Sequence, residues 1–170
     1  MDRREWRRQI LAARAAKDRH FRDDPHSPVK DPDFRGLHYF EPDLDYRLVV
    51  PLHKESAETL RIPRTGGDVV EYTRVGFFDV DLPEGKGRLA AYRSPAHGDQ
   101  LWVPLRDATS GKETYGAGRY LEARPLRDGN WLLDLNGAYH PYCAYDEGYT
   151  CPMVPFENHL DFPVRAGERL

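Results

Sequence analysis

The chemistry this sequence could perform gathers in NGAYHPYCAYDEGYTCPMVPFENHL, residues 136 to 160, which holds Cys143 and Cys151, the only cysteines, together with His140 and His159. Three active readings compete there. The cysteines could close a short disulfide loop, or ligate zinc with His140, His159 or Glu157. Structural zinc sites, however, usually show Cys pairs two to four residues apart, and here seven intervene. Either cysteine could also be a thiolate nucleophile, with His140 three positions before Cys143. Against all three stands free Cys as a small buried hydrophobe. The run itself has no period over about 25 residues, so it is either functional or packed by its own Tyr139, Tyr142, Tyr145, Tyr149 and Phe156.

A second group lies upstream. Gly111-Lys112 suggests a phosphate loop, but Arg106 and Glu113 stand where a Walker A motif needs glycine and Ser/Thr. A hairpin is the better reading: LWVPLRD, a turn at Thr109 to Lys112, then ETYGAGRYLEA as a strand with Glu113, Tyr115, Ala117, Arg119 and Leu121 on one face. Arg119 either pairs with Glu113 on the surface or joins Arg106 as an anion clamp. At the end of WLLDLN, Asp134 and Asn136 face away from Trp131, Leu133 and Leu135. Asp134 is a candidate base, ligand or orienter, or simply an Asx turn. Together Arg106, Asp107, Glu113, Tyr115, Arg119, Asp134, Asn136, Tyr139 and Asn158 form the expected ligand site, with residues 139 to 159 as its lid. No HExxH, nucleophile elbow, dinucleotide-binding glycine set or CxxC pair is present, and no cofactor is expected.

The elements that must position these groups divide the chain into four parts of one domain. Residues 1–22 contain no Gly or Pro and place Trp6, Ile10, Ala13, Lys17 and Phe21 at helical spacing. Residues 23–33 carry Pro25, Pro28 and Pro32 and read as an extended linker. Residues 34–135 hold short β-branched or aromatic runs separated by Gly- and Asp-rich turns every 8 to 14 residues: YRLVVPL, AETLRIP, VVEYTRV, GFFDVDL, GRLAAYR, QLWVPLR, GRYLEAR and NWLLDL. Residues 136–170 supply the lid and a C-terminal strand. The fold class is therefore mainly β: a single antiparallel barrel or sandwich of about eight strands, with one N-terminal helix and a long irregular C-terminal loop.

Composition bounds the setting. A chain of 170 residues with 20 Phe, Trp and Tyr can bury a core without metal or disulfide. The opening MDRREWRRQ lacks the apolar centre of a signal peptide, and no apolar run approaches the roughly 20 residues of a membrane span. A cytoplasmic location with reduced thiols is expected. The first 22 residues carry eight Arg and Lys against three Asp and Glu, leaving −8 on the remainder of a chain of net charge −3. Such an acidic body argues against nucleic acid as a partner.

The blocks DATSGKETYGAGRYLEA, LDLNGAYHPYCAY and YTCPMVPFENHLDFPVRAGERL, with WRRQILAARAAKDRHFRDDPHSP and FRGLHYFEPDLDYRL before them, resemble a bacterial and archaeal family known as a domain of unknown function, DUF1684. The resemblance implies a prokaryotic soluble protein with a β-rich body and carries no activity or cofactor. In it, Asn usually stands where this chain has His140, and an Asn could be neither ligand nor base. Longer relatives carry an extra β-rich segment after the helix block, which makes this chain a short form. The expected function is binding of a small polar or anionic molecule at the barrel mouth. The alternatives are a protein–protein or homodimer module built on the Tyr-rich loop and basic helix, and a metal-dependent hydrolase using the Cys/His loop.

Overall fold

A computed structural model describes residues 1–170. The opening segment forms α1, Arg3–Asp23, with Asp2 at its N-cap accepting from the Arg4 N–H. Only Trp6 and Phe21 of its stripe are buried. Polar bonds hold the rest: Trp6 Nε1 donates to Asp134 Oδ2 at 2.9 Å, Arg14 Nη1 donates to the Phe40 carbonyl at 2.8 Å, and Lys17 reaches Glu168. No helix is long and apolar enough to cross a membrane. The proline-bearing stretch after it contains neither helix nor strand.

The body consists of β1 His38–Tyr39, β2 Arg47–Val50, β3 His53–Pro63, β4 Val69–Leu82, β5 Gly85–Arg93, β6 Leu101–Leu105, β7 Arg119–Pro125, β8 Trp131–Asp134 and β9 Glu168–Arg169. Seven of these form one antiparallel sheet in the order β2-β8-β7-β6-β5-β4-β3, and β1 pairs with β9 in a small second sheet. In a flat sheet β4 and β8, four steps apart, would be separated by about 19 Å. Yet Phe78 and Trp131 bring their rings to 6.1 Å, so the sheet curls with this face inward. The expected mainly-β body with one N-terminal helix is what forms, as an open half-barrel. Its β3 edge carries Lys54, Glu55 and Glu58 in solvent, charges that discourage pairing with another chain.

Two local expectations fail for backbone reasons. VVEYTRV and GFFDVDL are one strand, β4, bent at Gly76, where the register to β5 shifts and φ is 155°. A Cβ there would lie 2.2 Å from the His53 carbonyl oxygen, so the bend requires glycine. The strand predicted from Glu113 does not exist: the Thr109 carbonyl accepts from Lys112, Glu113 and Thr114 N–H groups, and β7 begins only at Arg119. Glu113, Tyr115 and Arg119 therefore share no strand face.

Both faces of the sheet are covered. The inner core joins Phe78, Leu89, Leu101, Val103, Leu121 and Leu133 with Leu160, Phe162, Val164 and Ala166 from the C-terminal run. The outer face carries Tyr72, Tyr92, Trp102 and Tyr120 beneath Cys151 and Val154. α1 covers the β8 end of that face through the Trp6–Asp134 bond, so two separate covers meet over β7.

Candidate functional site

Most of the polar residues expected to bind a ligand hold the chain to itself. Arg119 is fully buried. Its Nη2 donates to Asp107 Oδ2 at 2.9 Å and to the Val164 carbonyl at 2.7 Å, and its Nη1 donates to the Ala166 and Glu168 carbonyls. Asp107 Oδ1 accepts from the N–H and hydroxyl of Thr109 and from the Val164 N–H. Burial pulls the guanidinium pKa down and Asp107 opposes the shift. The fork thus clamps the C-terminal run against the inner face. Glu113 pairs instead with Arg165, at 3.0 Å in solvent.

Asn158 plays a comparable role between two strands. β5 and β6 pair only at Tyr92 and Trp102, since Pro104 has no N–H to give. The Asn158 amide fills the gap: Oδ1 accepts from the Ala90 N–H at 2.8 Å, and Nδ2 donates to the Ala90 and Pro104 carbonyls. Asn136 ties Asp43 through both atoms of its amide, and Asp134 accepts from the Asn136 N–H in an Asx turn while receiving Trp6. The Arg106 backbone bonds Asn158 and Leu160, and its Nε is buried without a partner.

Beneath the lid the hub is Glu168, 1% exposed, which meets Lys17, the Tyr145 hydroxyl and the His140 N–H. His140 Nε2 accepts from the Tyr115 N–H at 3.2 Å, so the neutral ring carries its proton on Nδ1, 3.6 Å from Glu168. Burial, only partly opposed by Glu168, holds this imidazole down at about 4. Cys151 Sγ accepts from the Cys143 N–H at 3.4 Å, and burial pushes the Cys151 thiol up to about 11. Tyr115 gives its hydroxyl to Cys143 Sγ at 3.7 Å. The His159 Nε2 is buried without a partner. His140, His159, Cys143 and Cys151 do not converge, and no three His, Cys, Asp or Glu side chains are grouped to hold a metal ion.

The groups left open to chemistry sit where the two outer covers meet. On β7, Tyr120, Glu122 and Arg124 alternate outward, and Glu122 is paired across the sheet with Trp102. Its carboxylate accepts from the Tyr139 hydroxyl at 2.5 Å and lies 3.6 Å from His97 Nδ1, beyond hydrogen-bond length. His97 Nε2 is 3.4 Å from the Tyr72 hydroxyl. Burial lowers the His97 pKa, and Glu122 opposes it. Burial also raises the Tyr72, Tyr120 and Tyr139 hydroxyls, so all three are neutral phenols at neutral pH.

Beside this group opens a cleft of about 350 Å³ between Tyr72, Trp102 and Tyr120 on the sheet and Tyr139, Tyr142 and Tyr149 on the lid. A second cleft of about 350 Å³ lies across Glu122, lined by Trp6, Arg47, Arg124 and Asp134. Sequence reasoning brought Tyr139 and Asp134 to these clefts and missed Tyr72, His97, Trp102 and Glu122. Alternation in GRYLEAR carried the signal for Glu122, whereas His97, in the turn SPAHGD, carried none.

The chain is similar to an uncharacterized protein of Haloarcula marismortui, whose solution NMR structure matches with a TM-score of 0.74 and 38% identity over 98% of this chain and 95% of that one. Nothing among curated proteins matches. The family match excludes α1 and spans every strand, the lid and the clamp: over residues 32–169 the chain matches DUF1684, proteins of unknown function, and it belongs to that family.

Proposed function

We propose that this protein binds a small organic molecule in the aromatic cleft between the sheet and the lid. One observation carries the reading: six aromatic side chains surround an open volume next to a carboxylate and an imidazole that other groups only partly satisfy. Arg119, Asp107, Asn136 and Asn158, expected at a barrel mouth, are spent on holding the chain together, so the reading moves to the outer face.

The test is a thermal-shift screen of small metabolites, with hits mapped on backbone amide NMR signals. Hits that move Tyr120, Tyr139 and Cys151 support the cleft; hits that leave these three unmoved refute it. A second reading keeps the polar or anionic ligand and places it in the neighbouring cleft. It is favoured by Arg47, whose buried Nε has no hydrogen-bond partner and lies 3.8 Å from Asp134. Shifts at Arg47, Arg124 and Leu132 would select it.

A further inference from the structure

We propose that the ligand class of the aromatic cleft is an organic cation, an ammonium group enclosed by ring faces with Glu122 as its counter-charge. The inference rests on the cleft reading above and adds the sign of the ligand.

The ring arrangement is the first support. Trp102 stacks on Tyr72 with centroids 4.4 Å apart and meets Tyr120 edge-on at 5.2 Å. Tyr120 stands perpendicular to Tyr139, and Tyr142 perpendicular to Tyr149, at interplanar angles of 87° and 90°. These six rings form most of the lining of the cleft, and aromatic rings are the side chains that attract cations without carrying charge. Trp102 is only 1% exposed and backs the cleft with Tyr72 and Tyr120, so the rings with surface to offer a ligand are Tyr139, Tyr142 and Tyr149 on the lid.

The second support is charge. No Lys or Arg lines this cleft. Arg64, whose segment bridges to Pro152 at the rim, is held through Nε and Nη2 by both oxygens of Asp68. The tyrosines are neutral, and burial keeps His97 toward its neutral form. Lys17 lies 5.0 Å from the Tyr139 ring centroid but is matched by Glu168, whereas the Glu122 carboxylate, its side chain 23% exposed and bonded to Tyr139 of this cleft, has no cationic partner within ion-pair distance other than His97, so a cation is the ligand it favours. A carboxylate ligand would meet repulsion from the same group.

The experiment titrates the full chain with choline, with its neutral carbon isostere 3,3-dimethylbutan-1-ol and with 3,3-dimethylbutanoate, following backbone amide NMR signals. The expected result is saturable choline shifts at Tyr120, Tyr139 and Cys151, binding of the isostere at least about tenfold weaker, and no response to the carboxylate. Glu122→Gln should bring choline and isostere to within about threefold of each other. Tyr142→Leu, at the exposed rim, should weaken choline without touching the charge, and it serves if Glu122→Gln does not fold. Equal binding of choline and isostere at these signals would overturn the cation and leave the cleft standing. If choline binds nowhere near them, the cation proposal falls, and the metabolite screen then decides the cleft by itself.

Discussion

The molecule builds two carboxylate centres fifteen residues apart in sequence, Asp107 under the inner face of the sheet and Glu122 on its outer face, and treats them differently. Asp107 receives donors on both oxygens, and its partner Arg119 spends four contacts on Asp107 and the C-terminal run, both side chains being out of water. Glu122 has one hydrogen bond, from Tyr139, a histidine beyond bonding distance, and open space on the side it shares with Arg124 and Asp134. A buried charge whose every partner is supplied by its own chain is a structural joint. A partly exposed charge with unused acceptor capacity beside an aromatic cleft is where a ligand has something to gain.

Variants on the two sides should separate them. The largest effect belongs to the clamp: Arg119→Met strands Asp107 and frees three carbonyls, and urea unfolding should show a loss of about 3 to 5 kcal/mol. A loss under 1 kcal/mol would dissolve the distinction drawn here. Next comes pH. The His140 pKa is depressed from 6.5 to about 4 in the folded chain, so its contribution is complete above pH 6.5 and declines as pH falls to 4, where the unfolded chain binds a proton the native one refuses. The decline attributable to His140 is at most about 3 kcal/mol, and it should vanish in His140→Asn, measured by unfolding at pH 7 and pH 4.5.

Asn158→Ala leaves the buried Ala90 N–H and two carbonyls without partners and should cost about 2 kcal/mol, read as a lower urea midpoint at unchanged slope. The smallest effect is expected at the cleft. Glu122→Gln should change stability by less than about 1 kcal/mol, because the carboxylate is partly solvated. If it instead destabilises like Arg119→Met, Glu122 belongs with the joints and the contrast between the two faces collapses.

The sequence announced the helix and nearly every strand, because helical spacing, β-branched runs and turn residues act locally. The fused β4 escaped notice because a glycine bend inside a strand and a turn between strands look alike in residue type. The candidate site was less legible for a geometric reason. Asp107, Arg119, Asn136 and Asn158 are polar residues at strand ends and loops, which is what both a ligand site and a backbone staple look like in one dimension. Their partners, Val164, Ala166, Asp43 and Ala90, are backbone groups, and backbone groups have no sequence signature. Trp102 and Tyr72 come from different strands and meet only when the sheet is assembled.

The Arg119 clamp also sets an order of events during synthesis. Val164 follows Arg119 by 45 residues, and at about 5 to 20 residues per second the ribosome delivers it about 2 to 9 s later. In that interval the meander from β2 to β8 can pair strand by strand, but the inner face lacks Phe162, Val164 and Ala166, and the guanidinium lacks the carbonyls that make its burial tolerable. The nascent sheet keeps that side wet until residues 162–166 have been made, so the Arg119 charge delays core closure until the strip that answers it arrives.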